Sequence, residues 1–386
     1  MEYLEKILDS VKKMELKESF VGSTSPSIFV GRMGYPNVFT GILSSPEEVI
    51  INDPETWYYL GLKIYDIVKL RLKLVYPREK INVKSFNRYV EIQQEAVQSQ
   101  DPCELEVELK RRPNPKVEFY KYSAPVSNPA PVKKIRMVGN PKIPRPIEKV
   151  VDDYDLDAFS GVNILYKRGI KVSRIEQIFS SGLLGLKPQR KLVPTRWAVT
   201  GVDEMISRNM LKKIKDYDVI EKPILFSNTY LGNHYEILLI PSEWSYELIE
   251  VKYPGCIWNH GEKPKILSDF ETHFGRNKYV EETAGGYYAT RLGIVEYLTK
   301  IRKKAAAFVI RECFPEYTLP LGVWVVRETA RHAFDNPAKR FESIKDALNE
   351  MKKRLRIDWK HIEMKSEFLK WIKEQKRLSE FLKFSK

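Results

Sequence analysis

Hydrophobic residues along this chain follow strand spacing in some segments and helical spacing in others. In SIFVGRMGYPNVFTGIL, apolar strand-like runs flank Gly34 and Pro36, which predicts a β-hairpin. The β-branched and aromatic residues of 224–250, interrupted by turn residues, predict a sheet meander. Residues 284–313 have apolar positions at helical spacing and predict one long helix, followed by a short strand at 319–326. Because no regular βαβ alternation exists, the pattern favours an α+β fold with an antiparallel-type sheet.

Local signals indicate further helices. The first sixteen residues have apolar positions at helical spacing among charges. Ser173-x-x-Glu176 has the spacing of a capping box and predicts a short amphipathic helix that stops near Gly182. A basic loop then leads into another helix, which is expected to begin near Thr200.

The length of 386 residues, with 43% hydrophobic residues, predicts a two-part architecture plus a C-terminal tail. The segment from Pro113 to Pro146 contains eight prolines and is also basic, so we expect an extended, irregular connection along the surface. We place an N-terminal region at 1–272, which includes this segment, a mostly helical C-terminal region at 273–372, and the tail at 373–386.

Composition narrows the class of partner. Lysine and arginine outnumber aspartate and glutamate by 65 to 51, which gives a net charge of +14 and favours a polyanion, with nucleic acid as the first candidate. The cysteines Cys103, Cys256 and Cys313 are too far apart for a disulfide framework or a zinc site, which suits a reducing cytoplasm. No apolar run approaches the roughly 18 residues of a membrane span, so we expect no membrane partner.

The last residues combine positive charge with apolar side chains. Residues 351–386 contain twelve Lys or Arg and five Asp or Glu, a surplus of seven out of the chain's fourteen. Within them, Gln375-x-x-Leu378-x-x-Phe381-Leu382 resembles the PCNA-interacting peptide, by which replication and repair proteins attach to the sliding clamp. In a 3₁₀ turn, residues three apart share a face, so the three apolar side chains form one plug beside the glutamine amide. The alternative is a last helical turn that packs on its own domain.

Six blocks in order carry a family resemblance: FVGRMGYPNVFTGIL, DYDLDA, KLVPTRWAVTGVD, YLGNHYEILLIPSEWSYELIE, AGGYYATRLGIVEYL and LPLGVWVVRE. Together with the C-terminal peptide, they make the chain similar to the archaeal Nre family over nearly its whole length. The resemblance implies a role in DNA damage repair in partnership with PCNA, without a settled catalytic chemistry. Many relatives carry an N-terminal cysteine cluster that looks like a zinc module, but the first 102 residues here contain no cysteine, so no zinc module is expected.

A basic run ahead of a predicted helix provides the candidate nucleic-acid contacts, Lys187, Arg190, Lys191 and Arg196. Their charges would neutralise phosphates, and the free N–H groups of a helix start would bind them. Trp197 would stack on an unpaired base. The alternative is a surface loop ordered by prolines, with Arg196 paired to a buried acid and Trp197 in the core.

A carboxylate cluster, Asp152, Asp153, Asp155 and Asp157, is the candidate catalytic site. In an extended segment Asp153, Asp155 and Asp157 share a face and would hold a divalent metal that activates water, as a nuclease requires. The alternative is that these acids cap the N-terminus of the following helix. Apart from this divalent metal no cofactor is evident, and whether the protein is an enzyme stays open.

Two further groups have a functional and a structural interpretation. Gly285 and Gly286 precede a helix that carries Arg291 one turn in, and the three are candidates for binding a phosphate, although the spacing is not that of a P-loop. The alternative is a tight turn into the helix. The charged residues of 327–331 form either an internal ion-pair network or a polar site at a strand end.

Two functional hypotheses follow. The first is a DNA-binding repair factor that the sliding clamp PCNA positions on DNA. The second is a metal-dependent nuclease, or another nucleotide- or phosphate-handling enzyme, which uses the cluster Asp152–Asp157 with Glu247 and Glu250 as further carboxylates.

Overall fold

The computed structural model describes Asp9 and residues 16–46, 51–276 and 278–374 of the chain. The chain divides into two compact units. The N-terminal unit consists of Met1–Ile206 and Pro320–Trp324, and the C-terminal unit consists of Ser207–Leu319 and Val325–Lys386. The helix predicted for the first sixteen residues falls, except for Asp9 and Leu16, outside the described residues.

A six-stranded sheet forms the framework of the N-terminal unit. Its strands lie in the order β1 (Ser19–Thr24), β5 (Cys103–Leu109), β8 (Pro129–Val138), β4 (Tyr76–Asn82), β3 (Asn37–Ile42) and β2 (Ile28–Val30). Neighbouring strands are antiparallel except for β8 and β4, which are parallel. Two short strands, β6 (Val117–Glu118) and β7 (Val126–Ser127), pair separately.

The hairpin predicted from SIFVGRMGYPNVFTGIL is confirmed by β2 and β3, which pair antiparallel with Ile28 opposite Ile42. Side chains of β3 point alternately to core and solvent at its start, and Phe39 is on the solvent side. Gly41 has no room for a side chain, because a Cβ there would lie 1.9 Å from the Pro77 carbonyl oxygen. This close approach holds β3 against β4.

The helices of the N-terminal unit are α1 (Pro54–Tyr59), α2 (Ile64–Leu72), α3 (Arg88–Gln98), α4 (Arg145–Asp152), α5 (Ala158–Lys167), α6 (Val172–Ser180) and the first part of α7 (Thr195–Ile214). The Pro-rich segment was expected to be an irregular surface connection, and this prediction was wrong for much of its length. It contains β6, β7 and β8, and β8 is an interior strand of the sheet. Its prolines at 129 and 131 lie at the start of β8, where the strand pairs with β4.

Two predicted helix starts were also wrong. Ser173 does not cap α6 but lies within its first turn, and its N–H and hydroxyl donate hydrogen bonds to the carboxylate of Glu55, at 3.0 and 2.6 Å. The predicted end of this helix near Gly182 is confirmed, because that residue has φ +78°. The next helix begins at Thr195 rather than near Thr200.

A second six-stranded sheet forms the C-terminal unit, in the order β13 (Lys265–Glu271), β12 (Tyr246–Lys252), β15 (Ala306–Cys313), β11 (Asn233–Ile240), β10 (Ile224–Tyr230) and β16 (Lys339–Arg340). Only β12 and β15 run parallel. Two short strands, β9 (Asp218–Val219) and β14 (Lys303–Lys304), pair separately. The strands of the predicted meander exist, but its simple order was wrong because β15 lies between β11 and β12.

The long helix predicted for 284–313 was wrong in its second half. Helix α8 (Gly285–Ile301) ends at Arg302, which has φ +52°, and the chain continues as β15, whose eight residues are all buried. An apolar run that is buried on both faces has no alternation, so its sequence does not distinguish a central strand from a helix. The strand predicted at 319–326 was wrong as well, because α9 (Trp324–Arg331) begins there. The α+β class is confirmed.

Helices α10 (Ile344–Arg354) and α11 (Trp359–Lys365) and the helical residues 367–374 contribute to the core of the C-terminal unit. Met351, Ile362 and Phe368 pack with Phe308 of β15 in one buried cluster. No helix in the described part of the chain combines the length and the apolar character needed to cross a membrane.

Candidate nucleic-acid interface

One surface of the N-terminal unit pairs a cation with an exposed aromatic ring. The guanidinium carbon of Arg78 lies 4.4 Å from the centre of the Phe39 ring. Phe39 pairs with Lys80 across β3 and β4, and Arg78 is two residues from Lys80, so its side chain is on the same face of the sheet. The strand register therefore produces this contact.

Helix α7 brings a second cation onto a ring. The Thr195 hydroxyl oxygen accepts a hydrogen bond of 2.9 Å from the Val30 N–H, which fixes the first turn of α7 against β2. The guanidinium carbon of Arg196 then lies 4.3 Å from the centre of the Tyr122 ring, and its Nη2 donates to the Tyr122 hydroxyl at 3.0 Å. Arg196 thus contacts a ring, and not the buried acid of the alternative interpretation.

Both pairs line a groove of about 510 Å³, which we call the aromatic groove. Its cationic residues are Arg32, Arg78, Lys121 and Arg196, and its aromatic residues are Phe29, Phe39, Phe119, Tyr120 and Tyr122. Among the described residues that line it, Glu118 is the only acid. Side chains of this kind bind phosphates and nucleobases in proteins that hold single-stranded nucleic acid.

Glu118 is internally satisfied. Its carboxylate accepts a hydrogen bond from the Tyr120 hydroxyl at 2.5 Å and pairs with Lys116 at 3.0 Å. Burial raises the pKa of Glu118, but these two hydrogen bonds outweigh burial and hold the pKa below its usual value. The carboxylate is therefore ionised and already paired at neutral pH.

Trp197 and Tyr35 form an exposed aromatic pair. Their ring centres are 5.1 Å apart, and 45% of Trp197 and 42% of Tyr35 is exposed. The alternative that places Trp197 in the core was wrong, because the residue occupies the solvent side of the first turn of α7, next to Arg196. A large exposed ring is a surface on which an unpaired base can stack.

The rest of the predicted basic run does not line the aromatic groove. Arg190 donates to the backbone carbonyls of Gly185 and Val151 at 2.8 Å and of Asp153 at 3.1 Å, so its guanidinium anchors the loop to the end of α4. Lys187 lies over the Tyr154 ring at 4.6 Å, and Lys191 is exposed. A nucleic-acid role for these residues stays a prediction.

Asp157 is the N-cap of α5. Its carboxylate accepts hydrogen bonds from the Ser160 N–H at 3.0 Å and the Ser160 hydroxyl at 2.7 Å, and these bonds lower its pKa. Asp153 accepts from the Asp155 N–H at 3.1 Å in the preceding turn. The capping interpretation is confirmed for Asp157, and the segment is a turn instead of the extended strand that would align three carboxylates. In the described ranges, no three His, Cys, Asp or Glu residues are placed to hold a metal.

The candidate phosphate residues of the C-terminal unit have partners within that unit. Arg291 is buried and pairs with Glu271 at 3.1 Å. Gly286 lies against Glu250, whose Oε1 would be 2.5 Å from an added Cβ. Close packing accounts for the glycine at position 286, and the ion pair with Glu271 accounts for the arginine at position 291. Phosphate binding by Gly285, Gly286 and Arg291 therefore stays a prediction that these contacts do not support.

The internal ion-pair network predicted for residues 327–331 is confirmed. Arg331 pairs with Glu296 at 2.7 Å and with Glu328 at 2.8 Å, and Arg327 is fully buried beside them. The further carboxylates proposed for an enzyme are also internal. Glu247 accepts from Ser268 at 2.8 Å, and Glu250 pairs with Lys252 at 3.0 Å.

Two family models cover most of the chain. The model described as "Archaeal Nre, N-terminal" matches residues 1–259, and the one described as "Archaeal Nre, C-terminal" matches residues 271–381. The chain belongs to the archaeal Nre family. No solved structure matches it significantly.

Three curated relatives carry repair names. The chain is 33% identical to "DNA repair protein NreA" of Haloferax volcanii, over 95% of this chain and 90% of the relative. It is 35% identical to "DNA repair protein NreB" of Archaeoglobus fulgidus, over 90% of this chain and 88% of the relative. It is 34% identical to "DNA repair protein NreA" of the same organism, over 89% of this chain and 88% of the relative.

The predicted clamp-binding residues Gln375, Leu378, Phe381 and Leu382 lie outside the described residues.

Sequence reasoning missed most of the aromatic groove of this Nre-family chain. Arg196 was among the candidates, but Phe39, Arg78 and Tyr122 were not, because they come from separate segments with no common motif. A usable signal was present in the hairpin turn, where GRMGYPNVF places Arg32, Met33, Tyr35 and Phe39 close together in sequence. These four residues are all exposed.

Proposed function

We propose that this Nre-family chain is a DNA repair factor that binds unpaired DNA in the aromatic groove. The arrangement of cations beside rings carries the proposal, with Arg78 over Phe39 and Arg196 over Tyr122 at its centre. The relatives named as DNA repair proteins, and the net charge of +14, support it.

The chemistry of the groove favours single strands over duplex DNA. In a duplex the base faces are stacked on each other, so exposed rings have nothing to bind, whereas an unpaired base presents its whole face. Stacking on an aromatic side chain contributes about 1–3 kcal/mol per base. The arginine and lysine side chains add phosphate contacts that depend on salt but not on sequence.

The salt dependence of binding tests the role of the cations. We expect a labelled single-stranded oligonucleotide, followed by fluorescence anisotropy, to bind more weakly to the double variant Arg78→Gln, Arg196→Gln. The slope of log affinity against log salt should fall by about 0.7 for each lost contact. The matched control is Arg88→Gln, because Arg88 is an exposed arginine of α3 that pairs with Glu91 and Glu95.

Base stacking on the exposed Trp197 ring, which lies next to Arg196 but does not line the groove, is tested separately with Trp197→Ala. Its affinity for a single strand should fall by about fivefold to a hundredfold, with little change for a duplex. The variant Lys187→Gln, Lys191→Gln tests the remaining basic run, and an unchanged slope would leave that run out of the interface. If the arginine double variant binds with the slope and affinity of the wild type, the aromatic groove is not the DNA site.

We further propose that the tail attaches the protein to PCNA through Gln375, Leu378, Phe381 and Leu382. Burial of three apolar side chains contributes roughly 5–9 kcal/mol before ordering costs, which fits a micromolar contact at best. A weak contact is sufficient for a tether, since a clamp around DNA raises the local concentration of the attached protein. Calorimetric titration of PCNA from the same source into the full chain, and into a form truncated after Glu374, should show binding to the full chain alone.

A further inference from the structure

A second cavity of about 530 Å³ lies in the N-terminal unit. It shares Phe29, Tyr122 and Ser123 with the aromatic groove, so the two spaces adjoin at these residues. Its lining also includes Arg71 of α2 and Arg174 of α6. We call it the arginine cavity.

The two arginines of this cavity lack carboxylate partners among the described residues. Arg71 is only 3% exposed, and its Nε donates to the Pro125 carbonyl at 2.5 Å while Nη1 donates to the Asn52 side chain. Arg174 donates to the backbone carbonyls of Pro26, at 3.2 Å, and Ser99. Neutral carbonyl oxygens orient a guanidinium but do not neutralise its charge.

Three arginines of the C-terminal unit, in contrast, have carboxylate partners. Arg291 pairs with Glu271, Arg311 pairs with Glu250, and Arg331 pairs with Glu296. Ionised groups away from water are normally paired in this way, because an unpaired buried charge is strongly unfavourable. Two unneutralised guanidiniums beside one open cavity therefore indicate that the counter-charge comes from a bound anion.

The effect of burial on both arginines agrees with this geometry. Burial lowers the pKa of Arg71 to about 9 and that of Arg174 to about 10. Both groups are still charged at neutral pH. An anion bound in the cavity would offset the desolvation that burial imposes, and this gain is the physical basis for its affinity.

Other polar groups of the cavity are compatible with a ligand. The hydroxyls of Ser25 and Ser123 and the amide nitrogen of Asn52 are buried and have no hydrogen-bond partner among the described residues. The acids of the lining are Asp53, which forms an ion pair with Lys171, and Glu176. Buried polar groups without partners are rare in folded proteins and are explained when a ligand or water supplies the missing bond.

Aromatic residues also line this cavity. Trp57 and Trp324 line it with their ring centres 5.4 Å apart, and Phe29 and Tyr122 line it where it adjoins the groove. A volume of this size falls within the usual range for small-molecule sites, about 300–1,000 Å³. A lining that combines cations with aromatic rings matches the two parts of a nucleotide, which are a phosphate and a nucleoside.

We propose that the arginine cavity binds a phosphorylated nucleoside, with the phosphate on Arg71 and Arg174 and the nucleoside against the aromatic rings of the lining. Two sources present this chemistry: a free nucleotide, and the phosphorylated end of a DNA strand that lies in the aromatic groove. The second source rests on the proposed function, but the first does not.

The test compares ligands that differ only in phosphate, using the full chain. Affinities are measured for deoxynucleoside monophosphates against the matching nucleosides, and for single-stranded oligonucleotides with 5′-phosphate, 3′-phosphate or unmodified ends. We expect a preference of about tenfold or more for the phosphorylated member in at least one of these sets. A preference among free nucleotides identifies the first source, and a preference confined to oligonucleotides identifies a strand end. The absence of any preference overturns the proposal.

Variants separate the arginine cavity from the aromatic groove. Arg174→Gln and Ser25→Ala, whose residues line the arginine cavity but not the aromatic groove, should remove the phosphate preference and leave the affinity for unmodified oligonucleotides unchanged. The groove variant Arg78→Gln should weaken all oligonucleotides equally and keep the preference. The control Arg88→Gln should change neither quantity. If the preference survives in both cavity variants, the phosphate binds elsewhere and the proposal is wrong.

A stability measurement distinguishes a ligand site from a structural role. If Arg71 is held for a ligand, the ligand-free variant Arg71→Met should be at least as stable as the wild type, because a buried unpaired charge has been removed. It should also lose the thermal stabilisation that a nucleoside monophosphate gives the wild type. A strongly destabilised Arg71→Met together with unchanged stabilisation by the nucleotide would assign the arginine to folding alone.

Discussion

The packing of Phe368 gives a test of where the folded C-terminal unit ends and the proposed clamp-binding tail begins. Phe368 is fully buried, and its ring centre lies 5.4 Å from the stacked ring of Phe308 and 6.0 Å from that of Trp371. The described helical residues stop at Glu374, six residues further on. If the tail beyond this point serves a partner, its removal leaves this core intact.

The variant Phe368→Ala removes a fully buried ring from the core cluster of this unit. A change of this kind is expected to lower the free energy of unfolding by about 3–5 kcal/mol, from lost burial and the cavity that remains. For a unit of this size each kcal/mol shifts the melting temperature by about 2–4 °C, so the expected fall is about 6–20 °C. The matched control is Lys370→Ala in the same helix, where the side chain is exposed and the change should stay within about 0.5 kcal/mol.

Thermal denaturation of three forms supplies the comparison. Phe368→Ala should melt well below the wild type, whereas Lys370→Ala and the form truncated after Glu374 should melt close to it. The interpretation of the tail as a partner-binding segment is refuted if truncation lowers the melting temperature as much as Phe368→Ala does. In that case the tail packs on its own unit, which is the alternative that the sequence left open.

Three further predictions concern other parts of the chain. Burial raises the pKa of Glu250, but the positive charges of Lys252 and Arg311 outweigh burial and hold this pKa at about 2. The ionised carboxylate therefore stabilises the fold above pH 4.5, and this stabilisation is lost as the pH falls toward 2. The free energy of unfolding, measured with urea, should fall by roughly 3 kcal/mol over this pH range because of Glu250. In Glu250→Gln the free energy of unfolding should depend less on pH. Asp157→Ala should lower the free energy of unfolding by about 1 kcal/mol in the same assay, because the helix cap is lost. If this variant stays folded but loses a Mg²⁺-dependent nuclease activity, the enzyme hypothesis is favoured instead. Gly286→Ala should destabilise by about 1–3 kcal/mol, since its Cβ would meet the Glu250 carboxylate, and normal stability would contradict that packing.

Local signals in the sequence predicted local structure. The turn residues between β2 and β3 predicted the hairpin, Gly182 marked the end of α6, and Asp157 was recognised as a possible helix cap. Each of these features depends on residues a few positions apart, whose backbone preferences act without help from the rest of the fold. The same reasoning failed at β15, because its apolar run suits a buried helix and a central strand equally well.

The aromatic groove and the arginine cavity depend on tertiary structure. Phe39 meets Arg78 only because of the register of β3 and β4, and Tyr122 meets Arg196 although 74 residues separate them. Arg71 and Arg174 line one cavity from helices that are distant in sequence.

By itself, the sequence determined the α+β class, the surplus of positive charge and a motif order similar to the Nre family. Tertiary structure decided which cations lie on rings and which arginines lack a carboxylate partner among the described residues. Charge and hydrophobicity belong to each residue, but a binding site depends on contacts that form only when the whole unit packs.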